Sequence, residues 1–314
     1  MDRFEAMVVF AQVVDSGGFT RAAEVLRMPK ATVTTMVQNL EAHLGVKLLN
    51  RTTRRVEVTA DGAAYYERCT RILADVQETE AALSTARARP QGRLRVDVSV
   101  AFGRRMLMPA LPEFLERYPG IRIEVGCTDR PVDLLEEGVD CVVRAGEPVD
   151  SSLVARRIGL LDFCCCAAPS YLSRYGVPEH PRDLARHRVV NFFSPRTGKI
   201  MAWDFTRTGE RVELMLEGPV ATNDSEAYLA AGLAGLGIVQ LTRGMLNEPL
   251  AEGRFVQVLA EWTIDPLPIY AMYPRNRHLS AKVRVFVDWV AELMAARQRD
   301  LLAPSQSDIE QASY

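Results

Sequence analysis

Two stretches of this 314-residue chain carry side chains suited to contacting a polyanion. In the first, Ala31, Thr34, Thr35 and Gln38 recur at helical spacing as a small, hydroxyl-bearing and amide set. In the second, Arg51-Thr52-Thr53-Arg54-Arg55 follows Lys47 and interleaves three guanidinium groups with hydroxyls. Arg can fork onto two phosphate oxygens and Thr can donate a single hydrogen bond, so the chemistry is phosphate gripping beside a surface small enough to approach bases. Enzymatic chemistry has no comparable starting point. The four histidines (His43, His180, His187, His278) form no HExxH and no Cys/His zinc spacing, and there is no Walker loop or GxSxG. No catalytic residue, metal or resident cofactor is therefore expected.

These side chains need rigid supports, and the first 58 residues supply them. Phe4, Met7, Val8, Ala11 and Val14 lie at helical spacing behind an Asp2 cap, and Gly17-Gly18 stop the pattern. A second helix is expected from Phe19 to Leu26, and a third from Lys30 to Leu44, closed by Gly45. On the third, Val33, Met36, Val37, Leu40 and Leu44 form the stripe that packs inward, which turns Ala31, Thr34, Thr35 and Gln38 outward. Two short helices joined by a tight turn are the frame of a helix-turn-helix reader. Taken alone, such a face is simply solvated several times more often than it reads DNA. The arginine-threonine hairpin that follows, placed as a wing along phosphates, shifts that balance.

Charge is local. Thirty-eight Lys and Arg stand against forty Asp and Glu, a net −2, which excludes a polycationic nucleic-acid coat. An acidic start with Asp2 and Glu5 argues against a signal peptide, and the longest uncharged run, Ala227 to Thr242, is shorter than the roughly 20 residues of a membrane span. The six cysteines form no CxxC pair. A cytosolic protein without a membrane partner is expected.

Thr59-Ala60-Asp61-Gly62 opens a long helix to about residue 88, with Tyr65, Cys69, Ile72 or Leu73, Val76 and Leu83 as a heptad-like seam interrupted by Thr79. Two readings stay open: a coiled-coil dimer contact, which is favoured, or packing on its own domain. After Pro90-Gln91-Gly92 the texture changes to alternating strands and helices. Leu94 to Val100, Ile121 to Val125, Val139 to Val143 and Leu160 to Ala167 read as strands, with helices over Arg104 to Arg117 and Val132 to Glu137. A second set of elements runs from Pro169 to Leu250, and Pro268 to Tyr273 with the helix from Leu279 to about Arg297 closes the chain. An α/β domain with a mostly parallel sheet is expected.

The N-terminal ninety residues resemble the LysR-type transcriptional regulators. The resemblance is carried by Phe10-Ala11-Gln12-Val13-Val14-Asp15-Ser16-Gly17-Gly18-Phe19-Thr20-Arg21-Ala22-Ala23, by Ala31-Thr32-Val33-Thr34, by Leu40-Glu41-Ala42-His43-Leu44-Gly45-Val46-Lys47-Leu48-Leu49, by Arg51-Thr52-Thr53-Arg54, and by Thr59, Gly62 and Tyr65-Tyr66. Beyond residue 92 it rests on Pro109, Pro112, Phe114 and Tyr118-Pro119, and on Ala231-Gly232 with Gly235 and Gly237. The resemblance implies a winged helix-turn-helix domain (residues 1–59), a dimerising linker helix (60–89) and a two-lobed α/β effector-binding domain of the periplasmic-binding-protein type (90–302). Lobe one would comprise 93–163 and 267–302, lobe two 164–266, and a flexible tail 303–314. It also implies double-stranded DNA, a homodimer through the linker helix, a homotetramer and RNA polymerase as partners, and a small-molecule effector.

By position, Lys30, Ala31, Thr34, Thr35 and Arg54 match the family's DNA-facing residues. Gln38 comes from the helical wheel, and Arg51 and Arg55 from the hairpin. Gly18 stands where relatives often carry a capping Ser, and Thr34-Thr35 where they carry Ser-Arg, so no long Arg reaches guanine from this helix. For the effector, an organic acid or aromatic metabolite, Ser99 and Thr128 match positions that often touch ligands in the family. The loop before the Arg104 helix adds Ala101 and Phe102, and topology adds Arg144, Phe193, Phe205 and Asn223. Each of these also reads as an ordinary cap or loop residue. Cys164-Cys165-Cys166 continues an apolar strand, which favours burial over a redox role. Gly232 to Gly237 closes a helix where a nucleotide fingerprint would open one, and reads as tight helix-to-strand packing. A solute-binding receptor without DNA binding is the alternative, and an enzyme the least favoured.

Overall fold

Asp2 caps α1 (Arg3–Asp15): its Oδ1 accepts the N–H groups of Phe4 and Glu5 at 2.9 and 3.4 Å. Helix α2 (Phe19–Leu26) ends where Arg27 turns left-handed at φ 52°, and Pro29 opens α3 (Lys30–Leu44), which Gly45 closes at φ 72°. These bounds are the ones that caps and breakers predict. Val33, Val37 and Leu40 of α3 pack with Phe10, Val13 and Ala22 in one buried cluster. Leu44, expected on the same stripe, is 37% exposed, whereas Glu41 is only 3% exposed. The reason lies in the next element. Strands β1 (Leu49–Arg51) and β2 (Val56–Val58) form an antiparallel wing whose root brings Leu48 and Leu49 into the core. Their N–H groups need a buried acceptor, and Glu41 provides it.

Helix α4 (Ala60–Leu83) begins against that root. A Cβ on Gly62 would stand 2.0 Å from the Leu48 carbonyl oxygen, so only glycine fits the crossing. Tyr65 packs on Phe10 with ring centroids 5.6 Å apart, and Cys69 is fully buried. The first two seam positions are thus used inside the head, while Ile72 further along is 45% exposed. The computed structural model describes residues 2–51, 56–83, 90–148, 150–275 and 279–302, in two compact units, Met1–Ala88 and Arg89–Tyr314. The expected tail at 303–314 lies outside the described residues.

In the second unit, β3 (Gly92–Val98) leads into the short α5 (Val100–Phe102), a π-helical turn (Gly103–Leu107) and α6 (Met108–Arg117). Pro109 has no N–H to return to the Arg105 carbonyl, which suits a widened turn at this point. Strands β4 (Ile121–Cys127), β5 (Cys141–Ala145) and β6 (Leu153–Leu161) follow. Residues 132 to 137, expected as a helix, contain no helix, only a turn from 134 onward. Leu134 sinks beside Val139 and Val142 while Leu135 is 67% exposed, a pattern without a continuous apolar face.

The expected single strand over 160 to 167 is two: β6 ends at Leu161 and β7 (Phe163–Ala167) begins in a different sheet, with Asp162 between them. Next come α7 (Pro169–Tyr175), a 3-10 turn (Pro181–Arg186), β8 (Val190–Phe192), β9 (Trp203–Arg207), β10 (Glu210–Leu214), β11 (Val220–Thr222) and α8 (Ser225–Leu233). The chain continues through β12 (Val239–Thr242), α9 (Arg243–Ala251), β13 (Val256–Val258), β14 (Leu267–Pro274) and α10 (Ala281–Leu302). The first lobe is one sheet, β4-β3-β5-β14-β6, with β14 antiparallel to both neighbours, so it is mixed where a mostly parallel sheet was expected. The return strand from lobe two causes this, because it must enter from the opposite end. The second lobe holds β12-β7-β13 and the smaller pairs β8-β11 and β9-β10. The lobes are linked by the crossings from β6 to β7 and from β13 to β14.

Candidate nucleic-acid interface and ligand cleft

On α3, Lys30, Ala31, Thr35 and Gln38 are exposed and Thr34 is half-buried. The N-terminus of α3 has no side-chain cap. A cation in the first turn opposes the helix dipole, so Lys30 gains nothing from its own helix there and suits an external anion. Thr35 Oγ donates to the Ala31 carbonyl at 2.9 Å. Its hydroxyl hydrogen is therefore engaged within the helix, and it offers outward a methyl group and an acceptor. Arg51 ends β1; Arg54 and Arg55 lie outside the described residues, so the predicted grip of the wing tip rests on sequence.

What the structure adds is the anchor of that wing. Glu41 Oε1 accepts the N–H groups of Leu48 at 2.9 Å and Leu49 at 3.1 Å, and Oε2 pairs with Lys47 Nζ at 3.0 Å. Burial pushes its pKa up, but the two backbone N–H groups and the Lys47 ammonium outweigh that effect and hold it below the ordinary 4.5. The helical wheel missed this residue because Glu looks solvated on a polar-ended helix. The signal was Glu41 lying one helical turn from Val37 and directly beside Leu40 on the inward stripe.

Between the lobes of the second unit lies a cleft of about 540 Å³, within the usual range for small-molecule sites. Of the expected ligand residues, Ser99, Ala101, Phe102 and Arg144 line it. Thr128, Phe193, Phe205 and Asn223 do not. Thr128 Oγ accepts the Arg130 N–H at 3.2 Å, Phe193 bridges to Ile200 at the strand edge, and Asn223 stands exposed before α8. Phe205 is 1% exposed inside the core of lobe two, because inward and outward positions alternate along β9 from the buried Trp203. Cys164 and Cys166 point into one core cluster and Cys165 into another, so the triplet is a strand buried on both faces. Burial pushes the Cys165 thiol up.

Sequence reasoning missed most of the lining. Phe163, Phe192, Trp203 and Tyr228 supply aromatic surface, and Arg196, Arg243 and Arg297 supply guanidinium groups. Many of the cleft's polar groups are already engaged: Arg144 pairs with Asp97, Glu147 accepts from Tyr270 at 3.0 Å, and Asp204 accepts the Asp265 N–H at 3.0 Å. Arg196, Arg243 and Arg297 form no ion pair or side-chain hydrogen bond among the described residues, and Asp162 is the one lining carboxylate in the same condition there. The unfilled groups are mostly donors. Arg243 begins α9, whose N-terminus carries no side-chain cap, where strand β12 delivers it to the cleft. Among the described residues no group of three or more His, Cys, Asp or Glu could hold a metal ion.

A three-helix head with a wing, followed by a long helix and a two-lobed α/β unit with a ligand-sized cleft, defines a DNA-binding regulator with an effector-binding domain. The chain belongs to the LysR family of transcriptional regulators. Residues 4–63 match the family model for the bacterial regulatory helix-turn-helix protein, lysR family, and residues 87–295 that for the LysR substrate binding domain. An HTH-type transcriptional repressor of Pseudomonas aeruginosa is 39% identical over 304 residues, covering 97% of this chain and 96% of that protein. Among solved structures, CrgA of Neisseria meningitidis, a LysR-type transcriptional regulator, is 35% identical with a TM-score of 0.59, covering 92% of this chain and 98% of that one. The full-length Vibrio cholerae virulence activator AphB is 32% identical with a TM-score of 0.56, covering 91% and 97%. These relatives are transcriptional regulators rather than solute receptors, which removes the receptor alternative. Among the described residues no helix is long and apolar enough to cross a membrane.

Proposed function

We propose that this chain regulates transcription in response to a small organic acid with an aromatic or apolar body, bound between the lobes. The observation that carries this reading is the trio of guanidinium groups unpaired among the described residues, Arg196, Arg243 and Arg297, facing a cleft walled by Phe163, Phe192, Trp203 and Tyr228. A guanidinium fork holds a carboxylate in a fixed plane, and the aromatic walls bury the remainder of such a ligand. The cleft binds one acid at a time and transmits it as a change in lobe geometry.

DNA is held by two copies of the head. Lys30, Ala31, Thr34, Thr35 and Gln38 of each face a major groove, with Arg51, Arg54 and Arg55 along the flanking phosphates. The exposed Ile72 on α4 supports pairing of two linker helices beyond the turn that Tyr65 and Cys69 use internally. A homotetramer acting in the cytoplasm on promoters served by RNA polymerase completes the reading. Footprinting of the DNA upstream of its own gene, with benzoate and related acids added in turn, tests it. Protection of two half-sites about one helical turn apart, altered by an acid and not by its amide, is the expected result. Protection that no acid alters, alongside an unchanged calorimetric trace, would overturn the ligand class.

A further inference from the structure

The cleft has one rim at which the chain itself fills the places an acidic ligand would take. Asp129, just after β4 in lobe one, accepts the Val100 N–H on Oδ1 at 3.0 Å. Its other oxygen, Oδ2, faces lobe two, where it stands 3.5 Å from Ser225 N and 3.4 Å from Ser225 Oγ. The next residue of α8, Glu226, receives Arg105 of lobe one in a two-pronged pair, Nε at 2.8 Å and Nη2 at 2.9 Å, with Arg104 Nη1 adding a longer contact at 3.6 Å. The Arg105 and Glu226 side chains are 24% and 19% exposed, so water and salt weaken the pair less than they would on the open surface. Ala101, beside them, packs on the core cluster of lobe two.

In a two-lobed receptor a ligand favours closure because it touches both halves at once. Here a carboxylate of the chain itself does so. A group tethered in place competes at an effective concentration that a dissolved metabolite does not reach. We propose that Asp129 is a built-in carboxylate that joins the lobes at this rim and bars a second anion from it, with the Arg105–Glu226 pair as its partner. Asp129 is thereby a specificity-determining residue: the acid bound in the cleft is held on the Arg243 side, away from Ser99 and Ser225. That last consequence rests on the ligand class proposed above, whereas the joint itself does not.

The test uses the full chain. In Asp129→Ala the amides of Val100 and Ser225 are deprived of their shared acceptor, and hydrogen exchange at both accelerates by about two- to tenfold, the range expected for removal of one hydrogen bond. Formate, a carboxylate small enough for the vacated space, restores protection and raises the unfolding temperature of the variant. Chloride at equal ionic strength does neither, and formate leaves exchange at these two amides unchanged in the original chain. Asp129→Asn, which keeps the shape, replaces one acceptor by a donor and exposes only one of the two amides. Glu226→Gln loosens the same rim without any rescue by formate. Unchanged exchange at both amides in Asp129→Ala, or exchange in that variant that formate does not slow, would overturn the proposal. Calorimetry with benzoate separates the two ideas: no binding to either chain refutes the acid-ligand reading and leaves the formate result to decide the joint.

Discussion

On the outer side of α3, Lys30, Ala31, Thr35 and Gln38 stand exposed, and the buried carboxylate behind them, Glu41, is fully engaged in holding the wing. In the interlobe cleft the arrangement is reversed: charged groups reach the lining itself, but Arg105, Arg144 and Asp129 are already taken by Glu226, Asp97 and the Val100 N–H. The ligands differ in the same way. A duplex carries a phosphate every few ångströms, so its reader needs a solvated face with donors left free, and affinity follows counterion release. A small effector offers one or two polar atoms, so its site has to neutralise most of the charges it does not use and leave a few donors in place.

The contrast can be broken most forcefully at Glu41. Replacing it by Ala strands two buried N–H groups and should lower stability by about 2–4 kcal/mol, read as an earlier unfolding transition of the head with the effector unit unaffected. An unshifted transition would mean that the wing root does not depend on this carboxylate. Acid should act on the same interaction. Because Glu41 titrates below the ordinary 4.5 in the folded head, its stabilisation is complete above that value and fades as pH falls through the folded-state pKa. Glu41→Gln should therefore flatten the acid side of the head's stability profile.

A smaller effect is expected in the cleft. Arg243→Ala should weaken benzoate binding by roughly tenfold, the worth of one charge-assisted hydrogen bond, and leave binding of the head to DNA unchanged. Calorimetry that finds equal affinity would move the acid elsewhere. On the head, Arg54→Ala should weaken all sequences alike, with the salt slope falling by about 0.9 for each phosphate no longer neutralised, and gel-shift titrations at several salt concentrations read this directly. The mildest change is Thr35→Val. Since the Thr35 hydroxyl hydrogen is engaged by Ala31, the drop in DNA affinity should stay within about threefold, confined to particular sequences; a uniform drop would show that Thr35 touches the DNA backbone instead.

The head was the more legible half. Asp2, Gly17-Gly18, Met28-Pro29 and Gly45 are local start and stop signals, and the helices between them fall where those signals put them. The cleft was less so. Ser99 and Phe102 could be placed from a loop between strand and helix, but Trp203, Arg243 and Arg297 come from segments far apart in the chain and meet only where the two lobes face each other. Phe205 looked like a candidate and is core, because alternation along a strand states which residues share a face and not which face is buried.

Sequence alone determined the helix boundaries of the head, its outward polar face and the alternation of strands and helices beyond residue 92, since caps, breakers and apolar periodicity act over a few neighbouring residues. Tertiary structure alone decided that the apolar run over 160 to 167 breaks at Asp162 to cross between lobes, that β14 enters antiparallel, that Glu41 is buried and that Asp129 meets Ser225. Each depends on partners dozens of residues away or on the path of the next element, and a side chain's burial or pairing is a property of that assembled surrounding rather than of its local spacing.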